Sequence, residues 1–321
     1  MNTNASPIQW YPGHMAKARR MMQENLGMVD VLCEILDARI PHASRNPDID
    51  VLAAGKPRVI VLGRADLAEP KRTDEWKQWY EGQGYAVLAC DSRSRRGIAG
   101  FSPMVRKLLE EKISEWNRKG QSGRKIRLMA VGIPNVGKST FINSLAGRKA
   151  AIAGDKPGVT RGKQWISVDN GMELLDTPGI LWPKFEDPEV GELLAVTNAI
   201  KAEILDREAL ASTLMQRLCR LYPEAVVSRY KIEADPDKPG YELLEEAARK
   251  RGFLVSGGET DTERMANTLL NEYHSGKLGR LTLEAAPKES GNAADESGFQ
   301  RPTSAFCRCP GARSPGPRPG R

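Results

Sequence analysis

The segment GIPNVGKST, residues 132–140, has the residue types and spacing of a loop that binds phosphate groups. It fits the pattern GxxxxGK[ST] and lies between a predicted strand and a predicted helix, which is the context that the pattern requires. Backbone N–H groups would cradle the phosphates, Lys138 would reach the β and γ phosphates in catalysis, and Ser139 would ligate Mg²⁺. The loop residues that we predict to contact nucleotide are Asn135, Val136, Gly137, Lys138, Ser139 and Thr140.

A second motif, DTPG at residues 176–179, ends the predicted strand MELLD. In nucleotide hydrolases, the Asp of this motif holds Mg²⁺ through water and the Gly N–H senses the γ phosphate. We assign these roles to Asp176 and Gly179. Between the two motifs, Thr160 of DKPGVTRGKQ is placed to complete the Mg²⁺ coordination, and we predict a catalytic role for it as well.

A guanine-reading segment is missing after DTPG, where an ordinary GTPase would have Asn-Lys-x-Asp. Upstream, however, VIVLGRADL is a predicted buried strand that ends in polar residues. Asp66, at its end, could accept hydrogen bonds from both N1–H and the 2-amino group of guanine, which adenine cannot offer. Asp91 and Ser92 of LACDSRSRRG fit the loop that backs the base. This order of motifs predicts a circularly permuted GTPase domain.

The elements around these motifs predict an α/β fold. Continuous apolar runs, such as VDVLCEILDAR, are typical of buried parallel strands, and they alternate with helical patterns. We therefore expect a mostly parallel sheet with helices on both faces, in a Ras-like P-loop GTPase domain. An all-helical domain is predicted to follow it. The predicted boundaries are 1–186 for the permuted domain, 187–286 for the helical domain and 287–321 for a disordered tail.

Composition favours a soluble, cytoplasmic protein. The 321 residues are 40% hydrophobic and 28% charged, and no apolar run approaches the ~20 residues that span a bilayer. Five cysteines form no CxxC pair, which argues against a disulfide framework or a metal site. A net charge of +7 makes a polyanionic partner such as RNA plausible. Basic residues that could meet RNA phosphates are Lys17, Arg19, Arg20, Arg217, Arg220, Arg229, Lys231, Lys250, Arg251, Lys277 and Arg280.

Several stretches together resemble the bacterial ribosome biogenesis GTPase A (RbgA/YlqF) family: WYPGHMAKA, GIPNVGKST, PGVT, DTPGIL and the closing GKLGRLTLE, in permuted order. The resemblance covers about residues 7 to 285. It implies a helical C-terminal domain that binds 23S ribosomal RNA and a role in late maturation of the large ribosomal subunit. It also implies that the subunit stimulates GTP hydrolysis and that the protein is a monomer.

The guanine motif departs from the family. Where the family has Asn and Lys, this chain has Gly63 and Arg64, and only Asp66 is kept. The family's Asn bonds the base and ties the base site to the phosphate loop, and Gly63 cannot do so. Arg64 can supply an aliphatic stem and a plane that stacks on the base. We expect weaker guanine affinity, with selectivity partly retained through Asp66.

In many GTPases the residue that follows the DTPG motif orients the attacking water. In this chain that residue is Ile180, whose side chain cannot orient water. The resemblance points instead to His14 of PGHM as the group that activates or positions water. Asn135 resembles the residue that ligates K⁺ in potassium-activated GTPases, although its alternative role is to stabilise its own loop.

Two other functions compete with a switch-like GTPase at this point. One is an assembly factor for ribosomal RNA that binds nucleotide with weakened guanine specificity and turns over little or none. The other is a P-loop enzyme that uses ATP.

Overall fold

The computed structural model describes residues 13–53, 55–147, 164–169, 171–182, 185, 187–200 and 206–287. These belong to one compact unit that extends to Pro287. Thr160 and the predicted tail after Pro287 lie outside the described residues, and the roles assigned to them stay predictions.

Within these ranges, six strands form one sheet. They are β1 (Val31–Asp37), β2 (Arg58–Gly63), β3 (Ala86–Ala89), β4 (Ile126–Val131), β5 (Gln164–Asp169) and β6 (Met172–Asp176). Their order across the sheet is β3-β2-β1-β4-β6-β5, and only β5 runs antiparallel to its neighbour. The chain thus starts in the centre of the sheet, builds one half, and returns to the centre with β4, the strand that leads into the phosphate loop. This topology confirms the permuted α/β fold.

The helices of the described ranges are α1 (Gly13–Asn25), α2 (Asp48–Leu52), α3 (Pro70–Gly82), α4 (Phe101–Leu108), α5 (Glu110–Arg118), α6 (Lys138–Ala146), α7 (Pro188–Val196), α8 (Arg207–Leu221), α9 (Pro223–Tyr230), α10 (Gly240–Lys250) and α11 (Thr262–His274). Several begin at residues suited to a helix start. Pro70 occupies the first turn of α3, where its missing N–H costs nothing. The side chains of Asp187, Asp206 and Asp261 accept N-terminal N–H groups of α7, α8 and α11.

Helices cover both faces of the sheet, as predicted. Because successive side chains of a strand point to opposite faces, Cys33 of β1 lies in one apolar cluster and Leu32 in another. The first cluster includes Phe101 of α4 and Phe141 of α6, whose rings meet edge to face. The second includes Met22 of α1. α3 covers the outer strands of the same sheet, where Trp76 and Tyr80 are buried.

Two details differ from the predictions. β5 was not predicted, because its Trp165 is exposed and its pairing with β6 is a tertiary contact. The sequence FSPMVRKLLEEKISEWNRK predicts one amphipathic helix from Phe101, but the structure divides it into α4 and α5 at Leu109, although the hydrogen bonding continues there. Leu109 donates to the Val105 carbonyl and accepts from Ile113.

After β6 the chain is helical, as expected, and it then returns to the sheet. α8, α10 and α11 pack around one another, and their apolar side chains join the cluster that also holds β1 and β4. Residues 278–286, which we call the C-terminal arm, leave α11 and run along the carboxyl ends of β1 and β2. No helix in the described part of the chain is long and apolar enough to cross a bilayer.

Candidate nucleotide-binding site

The predicted phosphate loop lies between β4 and α6. Asn135 has φ 55° and Gly137 has φ 101°, and these left-handed conformations produce the tight turn into α6. Lys138 begins α6, and its buried ammonium group donates to the carbonyls of Gly132 (3.2 Å) and Ile133 (2.8 Å). Burial lowers the pKa of Lys138 to about 8, although the Asp176 carboxylate acts in the opposite direction.

The DTPG motif packs directly against this loop. The Thr177 hydroxyl donates to Ala130 in β4 (2.5 Å), and the Ile180 N–H donates to the Gly132 carbonyl (3.1 Å). A Cβ atom on Gly179 would lie 2.6 Å from the backbone nitrogen of Pro134, so only glycine fits there. The close approach places the Gly179 backbone beside the phosphate loop, where the sequence predicted it.

The metal-binding residues predicted from sequence fit a Mg²⁺ ion in their chemistry. Asp176 ends β6 next to β4, and its carboxylate is near enough to Lys138 to affect the pKa of that lysine. Ser139 lies in the first turn of α6, half-buried, as does Thr140. A carboxylate and a hydroxyl are the hard oxygen donors that Mg²⁺ prefers. The third predicted ligand, Thr160, lies outside the described residues.

The predicted guanine-reading turn follows β2. Arg64 has a left-handed φ of 56°, and its carbonyl accepts from the Leu67 N–H (2.9 Å), which closes a turn with Asp66 exposed at its tip. The Ala65 N–H donates to the Cys90 carbonyl (3.2 Å). This bond joins the turn to the loop predicted to back the base.

The backing loop is organised by its own carboxylate. Asp91 accepts from the Arg93 N–H (2.8 Å) and from the Ser94 hydroxyl. Burial alone would raise the pKa of Asp91, but these hydrogen bonds bring it below its usual value. Ser92 is half-buried beside Cys90, with 3.8 Å between the hydroxyl oxygen and the sulfur. The two loops predicted to hold guanine therefore lie together.

The C-terminal arm supports the guanine-reading turn from outside the motif. Arg280 donates to the carbonyls of Ala65 (2.8 Å) and Ala68 (3.0 Å), and the Leu281 N–H donates to that of Leu67 (2.9 Å). From the sequence, Arg280 was a candidate RNA contact. The sequence does not predict its position next to the base site, although the segment GKLGRLTLE is part of the resemblance.

Asn135 connects the phosphate loop with two other parts of the chain. Its side-chain amide donates to the Asn198 carbonyl (2.8 Å), just after α7. Its own carbonyl accepts from the Arg64 guanidinium (2.6 Å). The Asn198 side chain lies 3.4 Å from Nδ1 of His274 in α11.

The predicted water-activating residue, His14, belongs to the first turn of α1, while the position of its side chain lies outside what the structure describes. α1 is anchored by Met15 and Met22, both buried. Met22 shares its cluster with Ile180, whose carbonyl accepts from the Asn46 side chain (3.1 Å). Ile180 is thus a core residue, in agreement with the prediction that it does not handle water.

Comparisons with known proteins agree with this geometry. A family model described as "50S ribosome-binding GTPase" matches residues 127–220. The curated ribosome biogenesis GTPase A of Priestia megaterium is 46% identical over 86% of this chain and 96% of its own length. The chain belongs to the ribosome biogenesis GTPase A family. As a member of this family it is a GTPase of ribosome biogenesis, which hydrolyses GTP and, as such enzymes typically do, uses Mg²⁺.

Solved structures of the family have the same fold. A GDP-bound YlqF matches with a TM-score of 0.60 at 27% identity, over 83% of this chain and 99% of that one. A GNP-bound YlqF from Thermotoga maritima matches with a TM-score of 0.57 at 28% identity, over 84% and 98% of the two chains.

Proposed function

We propose that this GTPase acts in late assembly of the large (50S) ribosomal subunit and that binding to the subunit stimulates its GTP hydrolysis. The observation that carries the proposal is the match of residues 127–220 to a family of 50S ribosome-binding GTPases. A cytoplasmic monomer that contacts 23S ribosomal RNA is the form in which we expect it to act.

The connection between DTPG and the helical region supports a switch. Ile180, Leu181 and Trp182 follow the motif as buried residues, and α7 begins only a few residues later, at Pro188. A movement of the motif that depends on the γ phosphate would therefore reach the helical region without crossing the sheet. This is a direct mechanical route from nucleotide state to a ribosome-binding surface.

Each of the predicted site residues has a separate role in binding or hydrolysing the nucleotide. Asp66 selects guanine, with Arg64, Asp91 and Ser92 around it, and Val136, Gly137 and Thr140 contribute to the phosphate site. Lys138 neutralises charge on the β and γ phosphates. Ser139, Asp176 and Thr160 would hold Mg²⁺, which neutralises charge that develops during phosphoryl transfer. His14 positions the attacking water, and Asn135 ligates K⁺ beside the phosphates.

We assign RNA contacts to a smaller set of basic residues than the sequence analysis listed. Arg229 and Arg251 bind the buried Glu272, Arg217 binds Glu189, and Arg280 holds the guanine-reading turn. These arginines have structural partners within the protein. The lysines of the predicted set are exposed, and we assign RNA contacts to them first: Lys17, Lys231, Lys250 and Lys277.

The experiment that tests the proposal measures hydrolysis of GTP and ATP with and without purified large subunits, in K⁺ and in Na⁺ buffer. We expect turnover of GTP over ATP, raised by large but not by small subunits, and faster in K⁺. Subunit binding without stimulation would contradict the switch and favour an assembly factor with little turnover. Equal use of ATP would refute the role of Asp66, and equal rates in K⁺ and Na⁺ would refute the cation role of Asn135.

A further inference from the structure

One face of the sheet is only partly covered by helices near β4. Successive side chains of β4 point to opposite faces, and Ile126 lies on the face that is filled by the largest apolar cluster. On the opposite face, Met129 packs in the cluster that contains Met22 of α1. Arg127 shares that face with Met129 but is exposed, and the neighbouring Trp165 of β5 is exposed beside it. The face is therefore open to solvent near the amino end of β4.

The exposed Trp165 ring is in contact with a cation. The Arg127 guanidinium lies 5.3 Å from the centre of the Trp165 ring. Glu173 of β6 is next to Arg127 in the sheet register, and its carboxylate lies 3.7 Å from Arg127 and 2.6 Å from Lys125. About half of each basic side chain remains exposed, 48% for Arg127 and 54% for Lys125. Glu173 thus orients the two cations without removing them from solvent.

The open face continues into the connector between α5 and β4. The Arg124 guanidinium lies 4.2 Å from the centre of the Trp116 ring and 3.4 Å from the Asp30 carboxylate. The Lys112 ammonium group binds the same carboxylate (2.9 Å). Asp30 also accepts from the backbone N–H of Arg127 (3.1 Å). One buried carboxylate therefore joins the connector to the exposed end of β4.

Basic residues outnumber the acidic residues that pair with them in this region, which we call the basic face. The acidic partners are Asp30, Glu115 and Glu173. Exposed cations beside an exposed tryptophan are the combination that suits RNA, because cations bind phosphates and aromatic rings stack on bases that are not in a duplex. The basic residues of the face are Lys112, Arg118, Lys119, Arg124, Lys125 and Arg127.

The basic face lies at the opposite end of β4 from the nucleotide site. The phosphate loop follows the carboxyl end of β4, whereas Lys125 and Arg127 lie at its amino end. The 6 residues of this strand extend over about 20 Å. A partner bound at the basic face would therefore not compete with GTP for the phosphate loop.

We propose that the basic face is an RNA-binding surface on the sheet of the GTPase domain, where Arg124, Lys125 and Arg127 bind phosphates and Trp165 contacts an unstacked base. It is separate from α1 and from the helical region, whose lysines are assigned to RNA above. This inference rests on the proposed function, because the large subunit supplies the RNA.

The test compares two double variants that remove the same charge. Lys125→Gln with Arg127→Gln changes the basic face, whereas Lys71→Gln with Lys77→Gln changes α3, which packs at the other edge of the sheet. The Kd is measured for a 23S rRNA transcript and for purified large subunits at several salt concentrations.

Loss of two phosphate contacts should raise the Kd for the transcript about tenfold and make the slope of log Kd against log salt smaller by about 1.5. The α3 variant should behave like the wild type with both probes. Intrinsic GTP hydrolysis and the melting temperature of the basic-face variant should be unchanged, since the substituted side chains are exposed and remote from the nucleotide.

Trp165→Ala separates the aromatic contact from the charge. Loss of one stacked base should raise the Kd for the transcript about tenfold. The salt dependence should stay the same as in the wild type, because this substitution removes no charge. An unchanged Kd in Trp165→Ala would refute the contact with a base.

Equal Kd values of the two double variants for the transcript overturn the inference. If the basic-face variant then still binds subunits more weakly, the surface contacts a ribosomal protein instead of RNA. Weaker binding with an unchanged salt slope also overturns the inference, because no phosphate contact would have been lost. A wild type that binds the transcript but not the subunits contradicts the proposed function, while the two variants still decide the inference on the transcript. A wild type that binds neither probe overturns both.

Discussion

At the scale of single residues, the site combines residues that carry charge with residues that hold them in place. The ammonium group of Lys138 is buried, and this burial lowers its pKa to about 8. Asp66, by contrast, is exposed at the tip of a turn whose backbone is fixed by Ala65 and Leu67. Backbone contacts therefore hold both Lys138 and the turn that carries Asp66 in position before nucleotide binds.

The pKa of Lys138 predicts a pH dependence of GTP binding. Below pH 8 the lysine is already protonated, whereas above it a proton must be taken up for the charged form to meet the phosphates. The Kd for GTP should therefore rise towards about tenfold per pH unit above this pKa. Titrations between about pH 7 and 9 test this, with GMP as the control, because GMP has the same base but no β and γ phosphates. A Kd for GTP that follows that of GMP would contradict the prediction.

Replacement of His14 tests its role in hydrolysis. His14→Ala should abolish the stimulation of GTP hydrolysis by large subunits and leave GTP affinity unchanged, because the imidazole acts on water and not on the nucleotide. Single-turnover rates at saturating subunit concentration are the measurement. Lys17→Ala, one turn along α1, is the control and should weaken subunit binding without lowering the saturated rate. Full stimulation in His14→Ala would refute the assignment.

At the scale of elements, the C-terminal arm is the least expected part of the nucleotide site. It follows α11 and donates hydrogen bonds to two segments: the guanine-reading turn, at Ala65 and Leu67, and Arg39 after β1. Glu284, near its end, accepts from the N–H groups of His42 and Ala43 (2.7 and 2.9 Å). The arm thereby joins the end of the helical region to the loops that follow the first two strands.

We expect the arm to contribute to guanine affinity through Arg280. Arg280→Ala removes two hydrogen bonds to the carbonyls around Asp66, so the turn should become less ordered. Because Arg280 is exposed, the expected rise in Kd for GTP is modest, about threefold to tenfold. The exposed Arg249→Ala in α10 is the matched control. An effect equal for GTP and for inorganic triphosphate would argue against a role at the base.

At the scale of the whole molecule, a chain of hydrogen bonds connects the phosphate loop with α11. Asn135 donates to the Asn198 carbonyl, and the Asn198 amide lies next to Nδ1 of His274. Nε2 of His274 donates to the Val196 carbonyl (2.6 Å). Burial lowers the pKa of His274 to about 4, so the ring is neutral near pH 7 and can accept at Nδ1 while donating at Nε2.

This chain of hydrogen bonds predicts that nucleotide state is transmitted to the helical region. Hydrogen exchange in the residues around Asn198 and at the end of α11 should slow when a GTP analogue binds. His274→Ala should remove most of that response, because Val196 and Asn198 then lose their hydrogen bonds to α11. Ser275→Ala, an exposed neighbour, is the control. Identical responses in wild type and His274→Ala would show that the two regions communicate by another route.

The sequence by itself determined the chemistry of the site and the order of its parts. The phosphate loop, DTPG and the turn with Asp66 are each short segments whose function depends on residue types at fixed local spacing. The periodicity around them is also local, which is why most strands and helices were predicted correctly. The permuted order followed from the positions of these segments along the chain.

Only the tertiary structure placed the contacts that hold these segments together. Arg64 binds a carbonyl 71 residues away, and Arg280 binds one 215 residues away. In both cases the acceptor is a backbone oxygen, which every residue type provides. The sequence therefore contains no side-chain pattern that predicts these hydrogen bonds. β5 was not predicted for a related reason. Formation of this edge strand depends on its pairing with β6 more than on its own residue types.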